Sequence, residues 1–217
     1  MVISDLHPFL FVRIPKNAST SLATFFVENY CGPNSINTGI GDSRIKPSNV
    51  PASVIEKHKT QYRIIHLTLN EIIEERLITE EDARSRRVIG VIRNPLERQL
   101  SLFFFKNRSN KRGATPEAFR KDMQNGYMEK DGSNHILQTD YLKIGEENVG
   151  EFWKYDNLDM HLDRFSEEYG QPKFPIKSFK SNIKPDSENL ISDYYDDATR
   201  KAVEEYFMKD FEEYENR

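Results

Sequence analysis

Apolar residues in this chain fall into short dense runs that alternate with stretches of helical spacing, and polar turns separate the two. Phe9-Leu10-Phe11-Val12 opens the first run and predicts a strand over 9–14. Leu22, Ala23, Phe25, Phe26 and Val27 then recur at helical intervals, which predicts a helix over 20–30 that ends near Cys31-Gly32. A loop with Gly32, Pro33, Gly39, Gly41, Pro47 and Pro51 follows, and Tyr62–Leu67 reads as a second strand. Helices are expected over 70–76 and 80–85, the latter opened by Thr79 as its cap. Arg87-Val88-Ile89-Gly90-Val91-Ile92 is apolar after its first residue, as in a central parallel strand covered on both faces. A helix to about Lys106 comes next, then one opened by Thr115 and Pro116. A fourth strand near 151–155, a helix closing at Gly170, an irregular stretch over 171–192 and a last helix over 194–214 complete the pass. The stripe Ala202, Val203, Tyr206, Phe207, Phe211 and Tyr214 on that last helix reads as core packing. Strands alternating with helices predict an α/β fold with a mostly parallel central sheet flanked by helices. With no repeat and no linker, residues 1–217 are expected to form a single domain.

Two strand ends carry the candidate chemistry. A strand that stops at a tight polar turn and restarts as a helix directs free backbone N–H groups at an anion. In the first segment Pro15 interrupts the ladder, Lys16 follows, and Asn17, Ala18, Ser19, Thr20 and Ser21 are small or hydroxyl-bearing. A Walker-type loop would read G-x-x-x-x-G-K-S/T. No glycine lies between residues 1 and 31, and the lysine precedes the hydroxyl cluster, so this is a phosphate loop of another kind. The bland alternative is a Ser/Thr helix cap with an incidental lysine. In the second segment Arg93 stands where the strand ends, the usual ligand edge of an open α/β sheet. Pro95 suits the first turn of the next helix, and Arg98 and Ser101, three apart, are expected on one face of it. Together they form a phosphate clamp, against the alternative of a solvated helix start. Two such loops in one domain point to a ligand with phosphates at two ends.

These residues resemble the sulfotransferases that use 3′-phosphoadenosine 5′-phosphosulfate. Arg13-Ile14-Pro15-Lys16-Asn17-Ala18-Ser19-Thr20-Ser21 is similar to that family's 5′-phosphosulfate loop, in a form closest to the uronosyl 2-O-sulfotransferases among the carbohydrate enzymes. Arg93-Asn94-Pro95 with Arg98 and Ser101 is similar to its 3′-phosphate motif. Gln138-Thr139-Asp140-Tyr141-Leu142 resembles a central Q-x-x-Y-L element, Trp153–Leu158 a late strand written Y-E-N-L, and residues 194–214 the closing helix. The segment Ile176–Asn182 departs from the family's H-x-N-x-S pattern. The resemblance implies a P-loop-like fold, the phosphosulfate nucleotide as cofactor with adenosine 3′,5′-bisphosphate as product, and no metal.

Sulfuryl transfer needs positive charge at the leaving phosphate, a base for the acceptor hydroxyl, and positioning. The resemblance implies Lys16 as the electrostatic group, with Arg13 adding charge or acting as an ion-pair partner. His66 is the expected base, since it ends the second predicted strand at the same edge as Arg13 and Arg93. Of the other histidines, His7, His58, His135 and His161, His135 is the alternative base and, with Gln138, an expected acceptor-site residue. Glu71 and Glu74 remain as carboxylate alternatives. Lys106, Arg108, Lys111 and Arg112 form a basic cluster that reads as a solvated loop or as a lip over the cofactor.

Composition narrows the setting. A net charge of −4 with 30% charged residues gives no case for a nucleic-acid partner. No stretch is long and apolar enough to span a membrane, and the N-terminal residues lack the basic and apolar regions of a signal peptide. The single cysteine, Cys31, excludes an intrachain disulfide and fits a cytoplasmic location. The leading expectation is therefore a cytoplasmic sulfotransferase acting on a hydroxyl of a sugar or other small acceptor. A P-loop-like kinase and a catalytically silent nucleotide- or glycan-binding relative are the alternatives.

Overall fold

The computed structural model describes residues 1–39, 45–58, 64–110, 113–124, 136–172 and 190–217. Its strands are β1 (Val2–Ile3), β2 (Phe9–Phe11), β3 (Ile36–Asn37), β4 (Arg87–Ile92), β5 (Lys143–Ile144), β6 (Glu147–Asn148) and β7 (Glu151–Lys154). The α-helices are α1 (Ser19–Tyr30), α2 (Ala52–Lys57), α3 (Leu69–Glu74), α4 (Glu80–Ser85), α5 (Pro95–Lys106), α6 (Pro116–Gln124), α7 (Leu158–Glu168), α8 (Leu190–Tyr194), α9 (Asp197–Tyr206) and α10 (Met208–Glu215). A 3₁₀ helix covers Gln138–Leu142 and another Tyr155–Asn157. The main sheet has five strands in the order β3-β1-β2-β4-β7. Its core, β2-β4-β7, is parallel, while β1 pairs antiparallel with both β2 and β3. The expected α/β architecture, with mostly parallel central strands between helices, is the one observed.

Alternation along the strands sends side chains to two separate cores. Phe9, Phe11, Ile89, Val91 and Trp153 meet α1 and α7 through Leu22, Phe26, Tyr30, Leu162 and Phe165. Leu10, Val12, Val88, Ile92 and Phe152 face the other way, onto Leu67, Leu69, Ile72 and Leu142. Leu22, Phe26 and Tyr30 stand four apart and are fully buried, each contributing about 1.5–3 kcal/mol by leaving water. A third cluster joins α5 and α6 to α8 and α9 through Leu100, Phe103, Phe119, Tyr195, Val203 and Phe207.

The elements with local start signals appear where they were expected. β4 and α4 match their predicted bounds, and the Thr79 hydroxyl accepts the Asp82 N–H at 3.1 Å. Thr115 accepts the Ala118 N–H at 3.3 Å ahead of Pro116. Four expectations are corrected. The first strand stops at Phe11, and the short antiparallel strands β1 and β3 add an edge that no periodicity announced. The second predicted strand does not form over the described residues 64–67, where Ile64 is helical and Ile65 and His66 turn; 59–63 lie outside the described residues. Ile64, Ile65 and Leu67 are buried all the same, so the apolar run recorded burial and not strand geometry. The stretch 171–192 is helical from Leu190, with 173–189 outside the described residues. The last helix is two helices, because Asp196 starts a new one with a capping box on Thr199 and the chain breaks again at Phe207. No helix among the described residues is long and apolar enough to cross a membrane.

Candidate active site at two loops of one sheet edge

The first loop leaves β2 and turns over residues 15–18 before α1 begins. Lys16 and Ala18 both hold left-handed backbone, at φ 68° and 55°, which costs a non-glycine residue roughly 1–2 kcal/mol each. Asn17 between them offsets that cost. Its wholly buried amide donates to the Val91 carbonyl at 2.5 Å and to Gln138 Oε1 at 2.6 Å, tying the loop to the end of β4. Ala18 occupies the cap position of α1 and supplies no side-chain cap, which answers the alternative of a Ser/Thr cap. The first turn of α1, which carries Ser19, Thr20 and Ser21, thus has no side-chain cap from Ala18.

Arg13 lies beneath this loop and is 1% exposed. Its guanidinium donates to the Gly39 carbonyl at 2.5 Å and to Thr20 Oγ1 at 3.5 Å, so it braces the loop from below. Lys16 lies with its Nζ 4.4 Å from the centre of the Phe105 ring, on α5.

The second loop follows β4. Asn94 accepts the Leu96 N–H at 3.0 Å and Pro95 takes the first helical position, so α5 starts directly after Arg93. The Arg93 guanidinium pairs with Glu97 at 2.9 Å, stacks 4.5 Å from the Tyr155 ring centre, and donates to the Lys16 carbonyl at 3.4 Å. Arg98 and Ser101 part company. Arg98 is completely buried, donating to the carbonyls of Pro15 at 3.3 Å and Ile136 at 3.4 Å. Ser101, one turn nearer Phe105, keeps 8% exposure. Arg98 is therefore placed as a strut under the first loop, and Arg93 and Ser101 as the groups nearer the surface.

His66 stands on a turn and not on a strand end, yet it does reach the same edge. Its Nδ1 lies 2.7 Å from the Arg13 carbonyl. A carbonyl can only accept, so Nδ1 carries the proton and Nε2 is the basic nitrogen. Burial, and then the Arg13 guanidinium, push its pKa well below the ordinary histidine value, which keeps the ring neutral.

His135 lies outside the described residues. Gln138, expected at the acceptor, is fully buried between the two loops. Asp210 went unnoticed in the sequence. It accepts the N–H groups of Gln138 at 2.8 Å and Thr139 at 3.0 Å, and burial raises its pKa. Nothing in an acidic C-terminal helix distinguishes this carboxylate from its neighbours.

The arrangement brings two cation-bearing loops together through direct bonds, with a neutral histidine beside the first. The curated proteins and the solved structures return no match to this chain. A sequence model described as the sulfotransferase family matches residues 1–176, well over half the chain. This chain therefore belongs to the sulfotransferase family.

Proposed function

We propose that this protein transfers the sulfuryl group of 3′-phosphoadenosine 5′-phosphosulfate to a hydroxyl of a carbohydrate or other small acceptor, leaving adenosine 3′,5′-bisphosphate. The observation that carries the reading is the direct joining of the two loops, through the Arg93 guanidinium on the Lys16 carbonyl and through Asn17 on the end of β4. The donor set fits such a nucleotide. Lys16 and the α1 amides would hold its 5′-phosphosulfate end, and Arg93 with Ser101 its 3′-phosphate. The form of the Arg13–Ser21 loop, which resembles that of the uronosyl enzymes, concerns the nucleotide end of the site.

The nucleotide supplies an activated sulfur–oxygen bond, which breaks as the acceptor oxygen bonds to sulfur. Lys16 sets positive charge beside the leaving phosphate oxygen, where such a preorganised group is worth about 10²–10³ in rate. His66 takes the acceptor hydroxyl's proton at Nε2, and its Nδ1–H stays on the Arg13 carbonyl to hold the ring in that tautomer. Arg13 and Arg98 keep the loop in shape through Gly39, Thr20 and Pro15.

The test combines binding with transfer. Calorimetry is expected to give tight binding of adenosine 3′,5′-bisphosphate and weak binding of AMP and of ATP with Mg²⁺. Labelled phosphosulfate donor is expected to label a member of a panel of sugars, glycans and small hydroxyl compounds. Lys16→Ala should lower turnover by about 10²-fold or more while bisphosphate binding changes little. Preference for ATP, or full turnover by Lys16→Ala, would set the reading aside; binding without transfer to any acceptor would mark a silent relative.

A further inference from the structure

Gln138 does at a strand end what a neighbouring strand does along its length. Its Oε1 accepts the Arg93 N–H at 3.0 Å, and its Nε2 donates to the Arg93 carbonyl at 2.9 Å. This is the two-point pairing of a strand residue, supplied by a side chain where β4 has no further ladder. The same Oε1 accepts Asn17 Nδ2 at 2.6 Å, and Asn17 also bonds the Val91 carbonyl. Asn17 stands between the two left-handed residues of the first loop, and Gln138 is itself held by Asp210. One buried side chain, with no exposure to solvent, thus bonds both loops at once.

We propose that Gln138 is a positioning residue that sets the spacing between the two anion sites, and so makes the protein selective for a ligand anionic at both ends. The inference rests on the function proposed above. A ligand that bridges two sites gains from the second only if their separation fits it, whereas a ligand held at one end is indifferent to that separation. Loosening the Gln138 link should therefore penalise the bisphosphate selectively.

The experiment is calorimetric titration of the intact chain, Gln138→Ala and Gln138→Glu with adenosine 3′,5′-bisphosphate, 5′-AMP and 3′-AMP. Gln138→Ala is expected to weaken the bisphosphate at least about tenfold, a typical size for coupling between two sites, with each monophosphate changed by less than about threefold. Gln138→Glu separates positioning from folding. Its ionised carboxylate still accepts from Asn17 and the Arg93 N–H but repels the Arg93 carbonyl. Once protonated, it can donate there as the native amide does. Bisphosphate affinity of Gln138→Glu should thus recover as pH falls, relative to the intact chain at each pH. Equal losses for all three nucleotides, or a Gln138→Glu defect that pH does not move, would overturn the proposal. If Gln138→Ala fails to fold, the Gln138→Glu profile decides alone. An intact chain with no preference for the bisphosphate overturns both this inference and the proposed function, and is read before any variant.

Discussion

At the scale of single residues, similar side chains take different tasks according to what surrounds them. Arg13, Arg93 and Arg98 all lie at one sheet edge, yet two are sealed among carbonyls and only Arg93 pairs with a half-exposed carboxylate, Glu97. Arg93→Ala is expected to weaken bisphosphate binding about tenfold or more and to change 5′-AMP binding little, since the proposed function assigns its charge to the 3′-phosphate. Equal losses in calorimetry would contradict that placement. His66 yields a second expectation through its depressed pKa. Below about pH 6.5 the unfolded chain takes up a proton at this residue that the folded chain refuses, so stability is full above that pH and falls as pH drops through it. Urea melts should show the decline, and His66→Gln should flatten part of it. The remainder belongs to groups such as His161, whose pKa burial also lowers.

Among the elements, legibility followed the reach of the signals. Caps act within one turn, so Thr79, Thr115 and Pro95 announced their helices, and the dense apolar run announced β4. β1 and β3, two residues each, are too short to show a period, and their pairing is decided by neighbours far away in sequence. Ile64–Leu67 misled because a buried turn is as apolar as a buried strand. Close packing between elements was not legible either. A Cβ at Gly150 would lie 2.8 Å from Leu142 Cδ1 and 3.0 Å from both Leu142 Cβ and Val88 Cγ1. Gly150→Ala should therefore cost about 1–3 kcal/mol by overpacking where β7 begins. A thermal melt within about a degree of the parent would show that the contact relaxes freely.

Over the molecule as a whole, the two loops were legible one at a time, each from its own residues, but their union was not. It depends on Gln138 and Asp210, which are remote in sequence from both loops and from each other. Asp210→Ala would strand the buried N–H of Gln138, at roughly 1–3 kcal/mol, together with the half-buried N–H of Thr139, and should lower the urea midpoint accordingly. This carboxylate has a consequence for where the protein can be divided. The match to the family's sequence model ends at residue 176, while the anchor of the central 3₁₀ helix stands at 210. A chain cut after residue 176 keeps both loops, yet it should lose its cooperative melt and its nucleotide binding together. In native-state hydrogen exchange, the Gln138 and Thr139 amides should open in step with helix α10. The end of that match is thus expected to fall short of the boundary of cooperativity, by at least the distance from residue 176 to Asp210.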